Sequence, residues 1–182
     1  MKKSIFTIAI LFYFAGLSFA QTVTVAEPEF INTSFYVVNN KPAKLEKAIP
    51  HEYSRPTAGS ILIGGYGRVK FNQVKGNASS TRITAADNSS TFIVRTYNNE
   101  IDPVDEIAII KLEVTGENRK YRLMQDDMFG QTKNSDLQYI PFEAKKYGKS
   151  SYLIEIAQKL EPGEYAICYR HASDVLNCFG VD

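Results

Sequence analysis

The residue pattern and the turn signals of the sequence predict an antiparallel β-sandwich of about ten short strands. Segments rich in Val, Ile, Phe, Tyr and Thr alternate apolar with polar residues, and Gly, Pro and Asn clusters separate them. Strands do not alternate with segments of helical periodicity, which disfavours an α/β fold. We therefore expect two packed antiparallel sheets, with another antiparallel β architecture as the alternative.

The first twenty residues have the pattern of a signal peptide. Lys2 and Lys3 precede the uncharged stretch 5–17, and Ser18 and Ala20 are the small residues that a signal peptidase reads. As a helix this stretch would rise only about 20 Å, too short for a membrane anchor. We expect cleavage after Ala20, a single β-sandwich domain at 21–182, no transmembrane segment in it, and a location in the periplasm, at the cell surface or outside the cell.

The first strands predicted after the leader form a hairpin. Residues 29–38 are extended in character, 39–42 (Asn-Asn-Lys-Pro) break the strand, and 43–49 resume it. Within the second segment, 43–48 also resembles a helix, but it is too short to be stable alone, and an edge strand is the alternative.

Two central strands show a clear two-residue period. Residues 66–74 place Val69 and Phe71 on one face, opposite basic and amide side chains. Residues 91–97 point Phe92 and Val94 inward.

The most apolar strand is predicted at 106–114. Ala108, Ile110, Leu112 and Val114 share one face, while Ile107 and Ile109 lie on the other, so we expect both faces to be covered near its start. Thr115-Gly116-Glu117-Asn118 then turns the chain into a strand at 119–123, which predicts a hairpin. Strands at 151–157, 164–170 and 177–181 complete the set, and the polar stretches 77–90 and 124–138 are predicted loops.

One short motif refines the fold. In Leu160-Glu161-Pro162-Gly163-Glu164-Tyr165, a turn enters a strand and places the Tyr165 hydroxyl within reach of a backbone group before the turn. This motif resembles the tyrosine corner of immunoglobulin-like and fibronectin-type sandwiches, although one residue fewer separates Gly163 from Tyr165 than in the fibronectin pattern. Together with the ending Cys178-Phe179-Gly180-Val181-Asp182, it also resembles uncharacterised exported bacterial β-domain proteins, a likeness that implies no activity.

Cys168 and Cys178 lie on consecutive predicted strands. In an oxidising compartment such a pair is normally joined, and strands pairing around 171–175 would bring the sulfurs together. A disulfide here would stabilise the fold by about 3 kcal/mol. The alternative is two reduced cysteines packed as small apolar side chains.

Charge and composition exclude several function classes. The chain has 21 Lys+Arg and 20 Asp+Glu, and without Lys2 and Lys3 the predicted mature chain has 19 basic and 20 acidic side chains, a net charge of −1. This balance gives no sign of nucleic-acid binding. Two Cys and two His do not make a structural zinc site without carboxylates, and we predict no metal or cofactor.

Catalytic patterns are sparse. His51 and His171 are the available bases, and Ser173 and Asp174 lie too close to His171 in one turn to form a triad. Neither a G-x-S-x-G elbow nor an H-E-x-x-H helix is present. A carboxylate pair is always available among 20 acidic residues and therefore indicates nothing.

Two segments are candidate binding surfaces. The predicted loop 124–138 carries Met124, Met128 and Phe129, which either tuck under the loop or form a contact for a partner. Its Asp126 and Asp127, with Asn134 and Asp136, are calcium-ligand types, but solvated loop carboxylates are the commoner explanation. The predicted loop 51–56 supplies the remaining candidates, which are His51, Tyr53 and Arg55.

We therefore expect an exported, non-catalytic binding or structural domain that contacts a protein or glycan of the cell envelope. The alternative is a small secreted hydrolase with a carboxylate or His51 site assembled by the fold. A buried histidine beside a carboxylate and a hydroxyl would favour the hydrolase. An unpaired edge strand donated to a neighbour would favour an assembly subunit.

Overall fold

The structure, a computed structural model, describes residues 23–57, 61, 67–84, 90–126, 132–134, 137–156, 158–170 and 175–182. These residues are almost entirely β and form antiparallel sheets, which confirms the predicted fold class. The predicted signal peptide lies outside them. Within these ranges, no helix has the length and apolar character needed to cross a bilayer.

The elements follow one another closely along the chain. In order they are β1 (Thr33–Val38), β2 (Lys41–Lys44), β3 (Glu46–Ala48), β4 (His51–Pro56), β5 (Arg68–Lys75), β6 (Arg82–Ile83), β7 (Ser90–Arg95), the one-turn helix α1 (Pro103–Glu106), β8 (Ile107–Thr115), β9 (Asn118–Asp126), β10 (Thr132–Asn134), β11 (Glu143–Tyr147), β12 (Ser151–Ile156), β13 (Gly163–Tyr169) and β14 (Leu176–Val181).

The smaller sheet has the strand order β11-β12-β7-β1-β2. Its β1–β2 hairpin is closed by Asn39 and Asn40, whose φ angles of 50° and 56° are those of a two-residue turn that matches the twist of the strands. Asparagine tolerates this left-handed backbone better than most residues. The hairpin predicted at these residues is confirmed.

The larger sheet has the order β3-β14-β13-β8-β9-β5-β4, with β10 paired to β9 and β6 paired in parallel to β14. The predicted β8–β9 hairpin is confirmed. Its turn uses Gly116, whose φ of 59° suits a residue without a Cβ, and Thr115 pairs with Asn118.

The main core lies between the two sheets. Phe92 and Ile154 of the smaller sheet pack with Ile109 and Ile167 of the larger one, and all four are fully buried. The ring of Phe92 lies 5.0 Å from that of Phe179, at a tilt that aromatic pairs favour. Burying each such side chain contributes roughly 1.5–3 kcal/mol, so this layer accounts for much of the stability.

A second core fills the concave side of the larger sheet. Ala108, Ile110 and Leu112 of β8 pack there with residues of β5, β9, β13 and β14, which means that the sheet curls around them into an open half-cylinder. Both faces of β8 are therefore covered, as predicted. Of the four residues predicted on this face of β8, only Val114, at the far end of the strand, is exposed.

The N-terminal segment covers the outer face of the smaller sheet. Val25 packs on Ile93 and Leu153, and Tyr147 donates a hydrogen bond to the Val25 carbonyl. The Glu27 carboxylate pairs with Arg95 at 2.8 Å and accepts bonds from backbone and side chain at 149–151. We call residues 23–27 the strap.

Several predicted loops are strands. Residues 51–56 form β4, and the predicted loop 124–138 contains the end of β9, then β10 folded back on it with Asn134 paired to Met124. The segment 43–48 is strand rather than helix, and β6 and β11 were not predicted. The missed strands are mostly exposed or very short, so they lack the alternating burial on which the prediction depends.

The tyrosine motif forms the predicted backbone contact. The Tyr165 hydroxyl donates to the Glu161 carbonyl at 2.8 Å, across the turn that contains Pro162 and Gly163. This bond satisfies a buried hydroxyl and fixes the entry into β13.

The predicted disulfide is absent: Cys168 and Cys178 are both buried free thiols. Their strands pair with Ala166 opposite Cys178, so the same register sets Cys168 opposite Leu176. The cysteines are thus diagonal neighbours, whose Cα atoms are typically about 7–8 Å apart, too far for a bridge. The alternative, two small apolar side chains in a core, describes them.

Candidate functional site

A wide groove opens where β8 and β9 separate. The two strands pair beside their turn as far as Glu113 and Lys120. Beyond that point β9 follows β5, whereas the freed edge of β8 bonds to the segment 137–140: Lys111 N–H donates to Gln138 at 3.2 Å, and Ile140 N–H donates to Ile109 at 2.9 Å. The divergence leaves a groove of about 880 Å³.

The lining of this groove is basic. Its charged side chains are Arg55, Lys111, Lys120, Arg122 and Glu113. Amide groups of Gln125 and Gln138 and apolar groups including Val69 and Leu137 complete the wall. With Glu161, which pairs with Lys111 from beside the lining, four cations meet two carboxylates, so the groove keeps a net positive charge on a chain whose charges nearly cancel.

Phe71 positions two of these cations. The guanidinium of Arg55 lies 5.2 Å from the centre of its ring and Lys120 Nζ lies 4.9 Å from it. Both contacts are within the range of cation–π attraction. Lys120 also pairs with Glu113 at 3.4 Å, while Lys111 pairs with Glu161 at 2.9 Å, which holds the pKa of Lys111 above its ordinary value and that of Glu161 below.

The strand register places the two arginines on one face of the sheet. Each row of paired residues runs across β4, β5 and β9. One row is Arg55, Val69 and Gln125, and the next row on the same face is Tyr53, Phe71 and Arg122. Arg122 also donates to Gln125 at 3.0 Å. Arg55 and Arg122 therefore flank β5 from either side, with their Cα atoms about 12 Å apart by the spacing of strands and the rise of two residues.

The structure brings together parts of both predicted binding segments. His51, Tyr53 and Arg55 lie on β4, and Met124 and Asp126 lie on β9, with β5 between them. Arg55 lines the groove, Tyr53 is half exposed on the same face, and Met124 is half buried beside Lys70. Asp127, Met128 and Phe129 lie outside the described residues.

Four groove residues were not predicted from the sequence: Lys111, Lys120, Arg122 and Gln125. A local signal for them exists, because 119–122 places three basic residues in four strand positions, Arg119, Lys120 and Arg122. The groove itself arises from the separation of β8 and β9, which depends on long-range pairing and has no local pattern.

On the opposite face of β9, Arg119 is almost wholly buried in the concave core, with 1% of its surface exposed. It donates to Glu46 at 2.6 Å, to Ser79 Oγ and to the carbonyl of Gly76 at 3.0 Å. Glu164, 4% exposed, accepts from Ser79 and from Arg82. Because these donors and acceptors satisfy one another, we interpret this buried ion network as structural.

The charges of this network are held in place by their partners. Burial alone would raise the pKa of Glu46, but bonds from Arg119 and the Ser80 N–H outweigh it and lower the pKa. Bonding to Asp182 and Glu164 raises the pKa of Arg82. Glu46 and Arg82 are therefore ionised at neutral pH, and the ion pairs of the network join β3, β13 and Asp182.

The hydrolase alternative gains no support from His51. This histidine is exposed at the start of β4, opposite Gln73, rather than buried in a cleft. His171 lies outside the described residues. Among the described residues, no group of three or more His, Cys, Asp or Glu side chains is arranged to hold a metal ion.

Comparison with protein families, with curated proteins and with solved structures finds no match to this chain. Its function is therefore inferred from the groove.

Proposed function

We propose that the protein is a non-catalytic binding domain whose basic groove between β8 and β9 takes an anionic partner of the cell envelope. The observation that carries the proposal is the concentration of Arg55, Lys111, Lys120 and Arg122 around one cavity of about 880 Å³. A cavity of this size lies in the range of ligand sites, and its polar groups converge from three strands.

The sequence supports a location outside the cytoplasm for this proposed binding. The pattern of residues 1–20 is typical of an exported protein, so the partner would be a component of the periplasm, of the cell surface or of the medium. The half-exposed Tyr53 beside Arg55 supports binding, because aromatic and arginine side chains are enriched at the centres of interfaces.

Retention on polyanion matrices tests this function. The chain without residues 1–20 is passed over agarose carrying polygalacturonate, polyglutamate or uncharged dextran. We expect retention on at least one anionic matrix, elution by salt because charges are screened, and no retention on dextran.

Two double variants locate the binding. Arg55→Gln with Arg122→Gln should weaken retention at least about tenfold, since each removes a charge-assisted bond. Lys41→Gln with Lys146→Gln removes the same charge from exposed positions on the smaller sheet and should leave retention unchanged. Equal loss in both double variants, or no retention of the unmodified chain on either anionic matrix, would refute the proposal.

A further inference from the structure

We infer that the ligand of the groove is an acidic oligosaccharide built from uronic acid units, an inference that rests on the proposed function. Three features of the groove and its border support it: two guanidinium groups, an exposed tyrosine ring on the same sheet face next to the groove, and a β8 edge that is already bonded.

The guanidinium groups fit carboxylates. Arginine presents a planar fork of donors that matches a carboxylate with two parallel bonds, which a lysine cannot do. Arg55 and Arg122 lie on one face, in adjacent rows on either side of β5. Two separated guanidinium groups, of which that of Arg122 also donates to Gln125, suit a chain that carries carboxylates at intervals better than they suit a single small anion.

Tyr53 offers a surface for a sugar ring. It is 50% exposed and lies two residues before Arg55, so the two side chains share a face of β4. An exposed aromatic ring presents a flat apolar face, and the C–H face of a sugar packs against such a surface. The ring of Phe71 does not offer a sugar such a surface, because it is 5% exposed and is already in cation–π contact with Arg55 and Lys120.

The polar lining suits hydroxyl groups. The amide of Gln138 both donates and accepts, which matches the mixed donor and acceptor character of a sugar hydroxyl, and Gln125, whose oxygen accepts from Arg122, contributes amide N–H donors. Gln138 is exposed in the groove wall.

Main-chain recognition of a peptide is not available at the β8 wall. An extended peptide gains affinity by adding a strand to a free edge. The edge of β8 that faces the groove is already bonded to the segment 137–140 through Lys111 and Ile140. Along the β8 wall a ligand is therefore bound through side chains, and backbone pairing there gives an acidic peptide no advantage over a glycan.

Calorimetric titration with matched probes tests the ligand class. The probes are a short oligogalacturonate, the same oligosaccharide with its carboxyl groups methyl-esterified, and a polyglutamate of similar charge. We expect the free uronide to bind at least about tenfold more tightly than either of the other two.

Variants at the tyrosine separate sugar stacking from charge. Tyr53→Ala should weaken uronide binding about tenfold and leave polyglutamate binding within about twofold, because only the sugar uses the ring. Tyr97→Ala, at a tyrosine that is 79% exposed in the chain segment after β7, is the matched control and should change neither. Arg55→Lys keeps the charge without the fork and should lie between the unmodified chain and Arg55→Gln.

The outcomes separate the two proposals. Polyglutamate binding in the groove as tightly as the uronide, or an unchanged affinity in Tyr53→Ala, overturns the oligosaccharide inference and leaves the binding domain standing. Binding of neither anionic probe overturns both.

Discussion

A single guanidinium, that of Arg119, joins several segments of the curled sheet. It lies in the concave core, where it donates to Glu46 of β3, to Ser79 and to the carbonyl of Gly76. Ser79 in turn donates to Glu164 of β13. Removing one member of such a network leaves opposite charges buried without a partner, which costs more than the pair itself contributes.

Arg119→Met should therefore lower the free energy of unfolding by about 3–5 kcal/mol, although it keeps a long side chain. Urea unfolding followed by fluorescence of the tyrosines measures it. Lys75→Met, at an exposed side chain of β5, is the control and should stay within about 0.5 kcal/mol of the unmodified chain. A loss below about 1 kcal/mol in Arg119→Met would show that the charges are solvated.

The two cysteines should be unreactive thiols in the folded chain. Burial raises the pKa of Cys168 to about 11 and that of Cys178 to about 12, from an ordinary 9.0. At pH 8 the reactive thiolate of Cys168 is then about 100-fold scarcer than in an unfolded chain.

Titration with a thiol reagent distinguishes the possibilities. Without reductant, two thiols should react in denaturant and at least about 100-fold more slowly in the native protein. Absence of thiols in the denatured sample would show that the cysteines had been joined after all.

At the level of single residues, the sequence predicted which side chains of a strand face the core, but not which side chains they contact. Phe92, Val94 and both faces of β8 follow from the two-residue period. The burial of Arg119 does not, because a basic side chain beside Lys120 and Arg122 is ordinarily solvated, and only the curl of the sheet covers it.

Among the elements, the strap on the smaller sheet shows how a segment without secondary structure is held. Val25 covers Ile93 and Leu153, and Glu27 caps the turn between β11 and β12 by accepting from the N–H groups of Lys149 and Ser150. Burial alone would raise the pKa of Glu27, but these bonds and those from Ser151 and Arg95 lower it.

Glu27→Gln should destabilise the fold by about 1–3 kcal/mol, because the uncharged amide leaves Arg95 without its ion pair and weakens the bonds to 149–151. Hydrogen exchange should show faster exchange at 149–151 in this variant. Glu29→Gln, two residues along on an exposed side chain, is the matched control and should have no effect. Unchanged exchange at 149–151 in Glu27→Gln would mean that the strap is not held by this carboxylate.

The sheet edges explain why β4 was taken for a loop. All six of its residues are exposed, so no alternation of burial marks it. It is an edge strand with charged residues and a terminal proline, features that discourage pairing with other molecules. The same composition, with lysine and proline, protects β2 at the edge of the other sheet.

At the scale of the whole molecule, the free energy of unfolding should depend on pH through the carboxylates of Glu27 and Glu46. The pKa values of Glu27 and Glu46 are lowered in the folded chain, so their contribution is complete above the ordinary value of 4.5 and is lost as the pH falls through the lowered values.

We therefore expect the free energy of unfolding to be nearly constant from about pH 6 to 8 and to fall below about pH 4.5. Urea unfolding across this range checks it. Below about pH 4.5, the slope of the free energy of unfolding against pH should be smaller in Glu46→Gln, by the equivalent of up to about one proton taken up on unfolding. An equal slope in both proteins would contradict the assignment of the pKa shift to Glu46.

The whole-molecule charge also shows the limit of composition. A chain of net charge +1, or −1 after the predicted cleavage, suggests no preference for anions, yet four basic residues surround one groove. The antiparallel sandwich follows from local patterns. The groove does not, because it depends on β9 leaving β8 for β5, a choice made by long-range packing.

The most direct measurement of the central claim is a residue-resolved NMR titration of the chain without residues 1–20 with oligogalacturonate, or with polyglutamate if that probe binds. The amide shifts should change at Arg55, Val69, Lys120, Arg122 and Gln138, around the groove, and remain unchanged on β1, β2 and β11. Shifts concentrated on the smaller sheet, or spread evenly over the surface, would contradict it.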